Sequence, residues 1–497
     1  MRMIWTSILI PLIAGVIVLI KPFGKDERGE KATSCLSVAA LVATLAVSAV
    51  TVVQFARGAE LSQTVWTLTG RLSISFALDK LGAFFLAFIP FVWLLAGIFA
   101  TEYLHHDHNK IRFWGFYLLT LGALQGLSFA GNLVTMYLFF EMMTLLSMPL
   151  VLHTQTHEAI MAGIKYLVYS MAGAYMALFG IFVMYHMGTD MSFTPGGVID
   201  PVAIAKNPTM FYLAVFFLIV GFGVKAGMFP MHAWLPTAHP VAPAPASAVL
   251  SAIIVKGGVL ALIRSVYYIA GAQYIAGTWV QYAWIGLAMI TVFMGSMLAY
   301  NEKVVKKRLA YSSVSQASYI MLGLAVLTPT AVTGSLLHVL FHALIKTALF
   351  LTAGAINSVQ TTCTRVDELR GIGKAMPVTI WCYTFVSLAL IGIPPASGFI
   401  SKWYLATGLL GSSTGFISWL GPVVLLVSAL LTAGYLLPIT IQGFLPGANF
   451  DYSNLKKREP GWRMLVPLIV LAAAALLTGI FPQRLIEFLS GIAQSLI

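Results

Sequence analysis

Charge is what this chain has least of. Only 9% of its 497 residues are Asp, Glu, Lys or Arg, against about 25% in soluble domains. That scarcity excludes a solvated globular surface. Acidic residues are the rarer sign, 17 against 29 basic, for a net charge of +12. Cysteine is almost missing. Cys35, Cys363 and Cys382 are scattered without CxxC spacing, which argues against a cysteine-ligated cluster in this chain. No glycine-rich phosphate loop follows a strand, so no nucleotide site or cofactor is expected here. Any redox centre or ATPase would belong to a partner. What abounds is apolar: 59% of residues are hydrophobic and mean hydropathy is +0.89. The apolar runs are too long for barrel strands, which need about 9–11 alternating residues. Helices satisfy their own backbone groups in lipid. The expectation is an all-α polytopic membrane protein, one membrane domain over 1–497. The positive charge then reads as membrane topology, not as nucleic-acid binding.

By the criterion of ~20 residues per span, about fourteen spans are predicted: 3–20, 34–55, 80–101, 112–130, 132–152, 160–187, 209–229, 245–270, 277–300, 309–328, 333–357, 376–411, 417–445 and 463–482. A signal peptide at the first is disfavoured, because there is no A-x-A site and positive charge also follows the span. One set of alternate loops holds seventeen Lys and Arg: Lys21, Lys25, Arg28 and Lys31; Lys110 and Arg112; Lys303, Lys306, Lys307 and Arg308; Arg365, Arg370 and Lys374; Lys456, Lys457, Arg458 and Arg463. The other side holds five: Arg2, Arg57, Arg71, Lys206 and Arg484. The rich side should be cytoplasmic, in a bacterial-type inner membrane, with both termini outside.

An internal echo links "HEAIMAGIKYLVYSMAGAYM" from His157 with "HVLFHALIKTALFLTAGAIN" from His338. At one offset of 181 residues, His157 matches His338 and Lys165 matches Lys346. Five spans separate the copies, so the second is inverted, which suggests repeats over 112–271 and 277–445. Inverted repeats are a transporter device, with sites at broken helices. Two breaks are legible. Pro230, Pro236, Pro240, Pro243 and Pro245 follow the span that carries Lys225. Pro394, Pro395 and Gly398 interrupt an apolar stretch just before Lys402. Unwound backbone at membrane depth survives where it is buried in protein or lines water.

The chemistry lies in charges set inside these spans, each costing roughly 2.5–3.5 kcal/mol on insertion scales. Glu141 and Lys225 are the candidate buried ion pair, with static packing as the bland alternative. Lys256 and Lys402 have no acid nearby in sequence, which favours function. His338, His342 and Lys346 recur every fourth residue on one helix face. Such a ladder, bridged by water, suits proton relay, since histidine titrates near neutrality and burial penalises a lysine's charged form. A zinc site lacks the glutamate of HExxH and a third ligand, so no metal is expected. Lys165 is near a span end and suits snorkelling. Asp79, Lys80 and Arg264 are near predicted interfaces, where anchoring is at least as good an account.

Several stretches resemble a known family: "FFEMMTLLS", "KYLVYSMAG", "GFGVKAGMFPMHAWLPTAHPVAPAPASAVLSAIIVKGG", "KRLAYSSVSQ", "HVLFHALIKTALFLTAG" and "GIPPASGFISKW". The chain is similar to the antiporter-like subunits of respiratory complex I, Mrp-type Na⁺/H⁺ antiporters and membrane-bound energy-converting hydrogenases. The resemblance covers nearly the whole length. It implies fourteen helices with two inverted five-helix repeats, each holding a broken helix. It implies that Glu141 and Lys225 pair between the fifth and seventh helices, and that Lys256 continues a central axis. His338, His342 and Lys346 match the eleventh-helix motif and Lys402 the terminal residue of the twelfth. His232 and His239 match "HxWLPxAH" as proton-input or structural residues, a class that also takes in Lys165 and Asp79. The implied function is proton translocation within a multisubunit complex, with other membrane subunits and the bilayer as partners and Na⁺ as a possible second ion. Lysine at 402 looks more like the Mrp D subunit or a hydrogenase homologue. The chain ends soon after the fourteenth span, without the long lateral helix of the largest complex I relative. Val304 stands where relatives often have aspartate, which weakens any acidic role there. A proton-translocating subunit, an Mrp D-type antiporter subunit and a non-transporting membrane anchor are the competing expectations.

Overall fold

A computed structural model describes the whole chain except Met1, 21–26, Arg71, His106, His108, Thr189, Thr362, Asn449, Asn454 and Lys456. Four basic residues used for orientation, Lys21, Lys25, Arg71 and Lys456, therefore lie outside the described residues. The principal elements are α1 (Arg2–Ile20), α2 (Glu27–Ala56), β1 (Ser62–Thr69), β2 (Leu72–Ala77), α3 (Lys80–Tyr103), α4 (Lys110–Phe129), α5 (Leu133–Val151), α6 (His157–Met187), α7 (Pro208–Lys225) and α8 (Leu235–Val241). They continue as α9 (Ala244–Ala270), α10 (Trp279–Asn301), α11 (Val305–Ala325), α12 (Pro329–Val359), α13 (Pro377–Ile391), α14 (Ser397–Leu410), α15 (Ile417–Phe444), α16 (Trp462–Ile480) and α17 (Gln483–Leu496). Eleven of these, among the described residues, are long and apolar enough to cross a membrane. The other three predicted spans coincide with α4, with α11, and with the pair α13–α14.

Side-chain caps explain several starts. Asp79 accepts from Gly82 N at α3, Asn132 from Thr135 N at α5, and Thr156 from Ala159 N at α6, each satisfying an orphan donor of the first turn. The two long breaks fall where proline clusters. α7 stops at Lys225 and the chain turns through 226–234 before α8. α13 stops at Ile391, Gly392 takes φ +94°, and α14 begins at Ser397. A side chain is disfavoured at such a φ.

The core lies around α9 and α12. Every residue of α9 is buried, and α12 packs on α3, α9, α11, α13, α14, α16 and α17. α2, α15 and α16 expose most of their surface to the outside. In sequence order, α4 packs on α5 and α6 on α7; later, α10 packs on α11 and α12 on both α13 and α14.

Loops assigned to one side meet in space. Asp107 bonds His153 at 3.0 Å, Gly461 N donates to Glu102 at 2.7 Å, Val304 pairs with Arg365, and Arg370 donates to Pro446 O. The other face is held by an antiparallel hairpin, β1–β2, which composition did not announce. It is tied to the bundle by Ser75 N to Thr135 Oγ1 and Asn132 Nδ2 to Ser73 O. Its signal was present in "TVWTLT" and "LSISFA", which alternate with period two.

Candidate functional site: a buried chain of amines and imidazoles

Lys225 ends α7, where the helix dipole favours a cation. Its Nζ donates to Tyr166 Oη at 2.7 Å and Ser170 Oγ at 3.0 Å, and lies 4.2 Å from the Tyr166 ring centroid. Tyr166 Oη is 2.6 Å from Ser147 Oγ on α5. No direct bridge joins Lys225 to Glu141, although each feels the other's charge. The expected contact pair is thus replaced by a hydroxyl shell. Glu141 lies on a partly exposed side of α5, with Oε1 buried and without a protein partner.

Lys256 follows a π-wound stretch of α9, Leu250–Ile254. Such wide turns frequently mark functional positions. The amine donates to Ser251 O at 3.2 Å and contacts His342 Nδ1 directly. An ammonium has three donors and no acceptor, so His342 Nδ1 must be unprotonated to receive it. The two groups share protons. His338 lies one turn away, with ring centroids 5.9 Å apart, and its Nδ1 is 2.9 Å from Ser401 Oγ. Lys346, at the other end of the ladder, donates to Ser312 Oγ at 2.7 Å and Leu309 O at 3.1 Å. Lys225, Lys256, His338, His342 and Lys346 are each at most 1% exposed. Among the described residues, none of the four lysines 225, 256, 346 and 402 forms an ion pair.

Lys402 curls back across its break. Nζ donates to Leu390 O at 2.6 Å and Ile391 O at 2.8 Å, the free carbonyls that end α13. It also lies 5.3 Å from the Tyr319 ring, on which His338 stacks at 5.6 Å. The structure therefore brings His338 to the side of Lys402, and leaves Lys346 at the far end. The spatial order is Lys256, His342, His338, Ser401–Lys402, with Lys346 as a branch.

The remaining candidates divide. Lys165 reaches Thr237 Oγ1 at 3.1 Å in the region of the first break, rather than snorkelling to an interface. His239 is buried against Phe350, with neither ring nitrogen bonded to protein. His232 stacks beside Phe229. Asp79 is committed to a bidentate bridge with Arg264, both bonds 2.6 Å, and to its cap. No cluster of three metal-ligating side chains occurs among the described residues. The residues that sequence alone passed over are hydroxyls: Tyr166, Ser170, Ser312, Tyr319 and Ser401. Their signal was helical spacing from the charged groups, as in Tyr166 and Ser170, four apart on α6.

This arrangement has counterparts. Residues 130–432 match the family model described as NADH:quinone oxidoreductase/Mrp antiporter, transmembrane, and 66–114 match that of the complex I chain 5 N-terminus. The NADH-quinone oxidoreductase subunit N of Desulforudis audaxviator is 33% identical over 83% of this chain and 83% of its own length. The D subunit of the Na⁺/H⁺ antiporter of Alkalihalophilus pseudofirmus is 25% identical over 99% of this chain and 96% of its own. The fold is also that of a chain in the Mrp complex from Dietzia, with TM-score 0.86 and 22% identity, covering 100% of this chain and 98% of the other. With more than half its length matched, this chain belongs to the NADH:quinone oxidoreductase/Mrp antiporter transmembrane family.

Proposed function

We propose that this chain is a proton-translocating, antiporter-like membrane subunit of a multisubunit energy-converting complex. The observation that carries this is the Lys256–His342 contact, buried with no acid bonded to it. A static ammonium without counter-charge in such a place is strongly destabilising. A proton passed between amine and imidazole is not subject to that objection. Protons enter from the cytoplasmic side through the region of His232 and His239, load Lys346 and the Lys256–His342 pair, and leave by His338, Ser401 and Lys402. Lys225, within electrostatic reach of Glu141, is the group whose protonation a partner shifts. The two segments 112–271 and 277–445 act as inverted repeats; their matching helix pairings and breaks support this.

The protein is placed in the cytoplasmic membrane with both termini outside, among other membrane subunits that hold any redox centre. The greater identity to a quinone oxidoreductase subunit, 33% against 25%, supports a redox-driven complex. The near-complete coverage by the D subunit of a Na⁺/H⁺ antiporter keeps sodium/proton exchange as the second reading. Purification in mild detergent followed by subunit identification separates them: redox subunits point to the pump, small membrane subunits alone to the antiporter. Proton uptake by proteoliposomes of the purified complex tests translocation itself. A wild-type complex that moves no protons under either a redox or a sodium drive overturns the proposal and leaves the membrane anchor.

A further inference from the structure

A groove of about 740 Å³ opens at the face where α2, α4 and α16 begin and α3 ends. Its upper rim carries Lys31, Lys110 and Arg463 against Glu30. Lys110 is bound by Glu30 at 2.6 Å and by His105 O at 2.8 Å. Arg463 forms no ion pair among the described residues and lies 5.5 Å from the ring of Trp462. The rim is therefore net positive. Trp114 also lines the groove; it is fully buried, and its indole N–H has no protein acceptor. Deeper, the walls turn apolar at Val38, Ala39 and Ile98. From Lys31 to Ala39 the α2 stripe descends roughly 12 Å at the helical rise. Trp462 is 67% exposed, as suits a residue at headgroup depth.

The geometry points to a binding site for an anionic phospholipid, with its phosphate against Arg463, Lys31 and the Trp114 N–H and an acyl chain along the apolar wall. A zwitterionic lipid brings its own cation to a rim already positive. Inorganic phosphate leaves the apolar wall unmatched. A partner's apolar helix leaves both the Arg463 charge and the Trp114 donor unanswered. The site is remote from the buried amines and does not depend on proton translocation.

Cys35 provides the test, because it lines the groove and is exposed while Cys363 and Cys382 are buried. The full chain, in its complex in mild detergent, is alkylated at Cys35 with and without added lipid. A Cys35→Ser control assigns the signal. Phosphatidylglycerol is expected to slow alkylation several-fold at a concentration where phosphatidylcholine and inorganic phosphate do not. Arg463→Gln should raise the phosphatidylglycerol needed for half-protection about fivefold, the effect of one basic residue near an anionic surface. Trp114→Phe should raise it too. Equal protection by both lipids, protection by phosphate alone, or unchanged protection in Arg463→Gln overturns the site. The unmutated lipid comparison decides the matter even where a variant fails to assemble.

Discussion

Lys402 is where transport and packing part company. Its two bonds to the carbonyls ending α13 give the ammonium a static role that does not require an acid. Lys402→Met removes the cap and the titratable group. Lys402→Arg keeps a donor but holds its proton, since its pKa stays above about 12. If Lys402 releases protons, both substitutions should cut proton uptake by proteoliposomes at least tenfold. If the residue only caps α13, Lys402→Arg should transport like wild type and Lys402→Met should lose thermal stability without losing coupling. Lys225→Ala should likewise abolish uptake while the complex still assembles. Glu141→Ala should do the same by removing the charge that Lys225 feels; normal pumping in Glu141→Ala would restrict the mechanism to the lysine and its hydroxyl shell of Tyr166 and Ser170.

At the scale of elements, the second break is built by close approach. A Cβ at Gly398 would collide with Ala389 O, and one at Gly479 of α16 would press on Pro395 O and Ser397 N. Gly398→Val should therefore separate α14 from α13 and lower the thermal midpoint of the purified complex, with a cost of roughly 2 kcal/mol or more for an overpacked core position. A midpoint unchanged from wild type would show that the break tolerates a side chain. On the opposite face, Asp79 holds α3 to α9 through Arg264. Burial alone would raise its carboxyl, but the Arg264 charge and hydrogen bond and the Gly82 N–H prevail and hold it below the usual aspartate value of 3.8. A depressed acid contributes stability above its unfolded pKa and loses it as pH falls through the folded one. The bridge should thus be intact at pH 5 and fail only below about pH 4. Asp79→Asn should cost about 2 kcal/mol at neutral pH, discounted for the partly exposed carboxylate, and should flatten the acid limb of the stability profile. An acid limb identical to wild type would remove Asp79 from that account.

For the whole molecule, orientation is the open sign. The contacts Asp107–His153, Glu102–Gly461 and Val304–Arg365 gather the basic loops on one face. Basic excess on short loops favours the cytoplasm. Ser453 is exposed in the loop between α15 and α16 and bonds only its neighbour Asp451. A Ser453→Cys variant should resist an impermeant thiol reagent applied to intact cells and react once the cells are opened. Ready labelling from outside would invert the topology and, with it, the direction assigned to proton uptake.

The sequence by itself determined the class of the molecule. Its apolar runs and scarce charge left helices in lipid as the solution, and proline clusters marked both breaks, because a missing N–H and a clashing ring cannot be hidden inside a helix. It also picked out the charged residues of the axis, since each stands out against an apolar background. It did not reveal their partners. Glu141 and Lys225 looked like a contact pair because opposite charges are the only strong attraction visible in a string of letters, whereas Tyr166, Ser170 and Ser147 are common in helices and carry no charge to notice. The hairpin was passed over because two short alternating strands are faint beside spans of twenty residues. Only the tertiary structure decided that His338, not Lys346, stands beside Lys402, because the order of groups along a route depends on which turn of α12 faces α14. It decided likewise that Lys402 answers the carbonyls of α13, since those become free acceptors only once the helix has ended there.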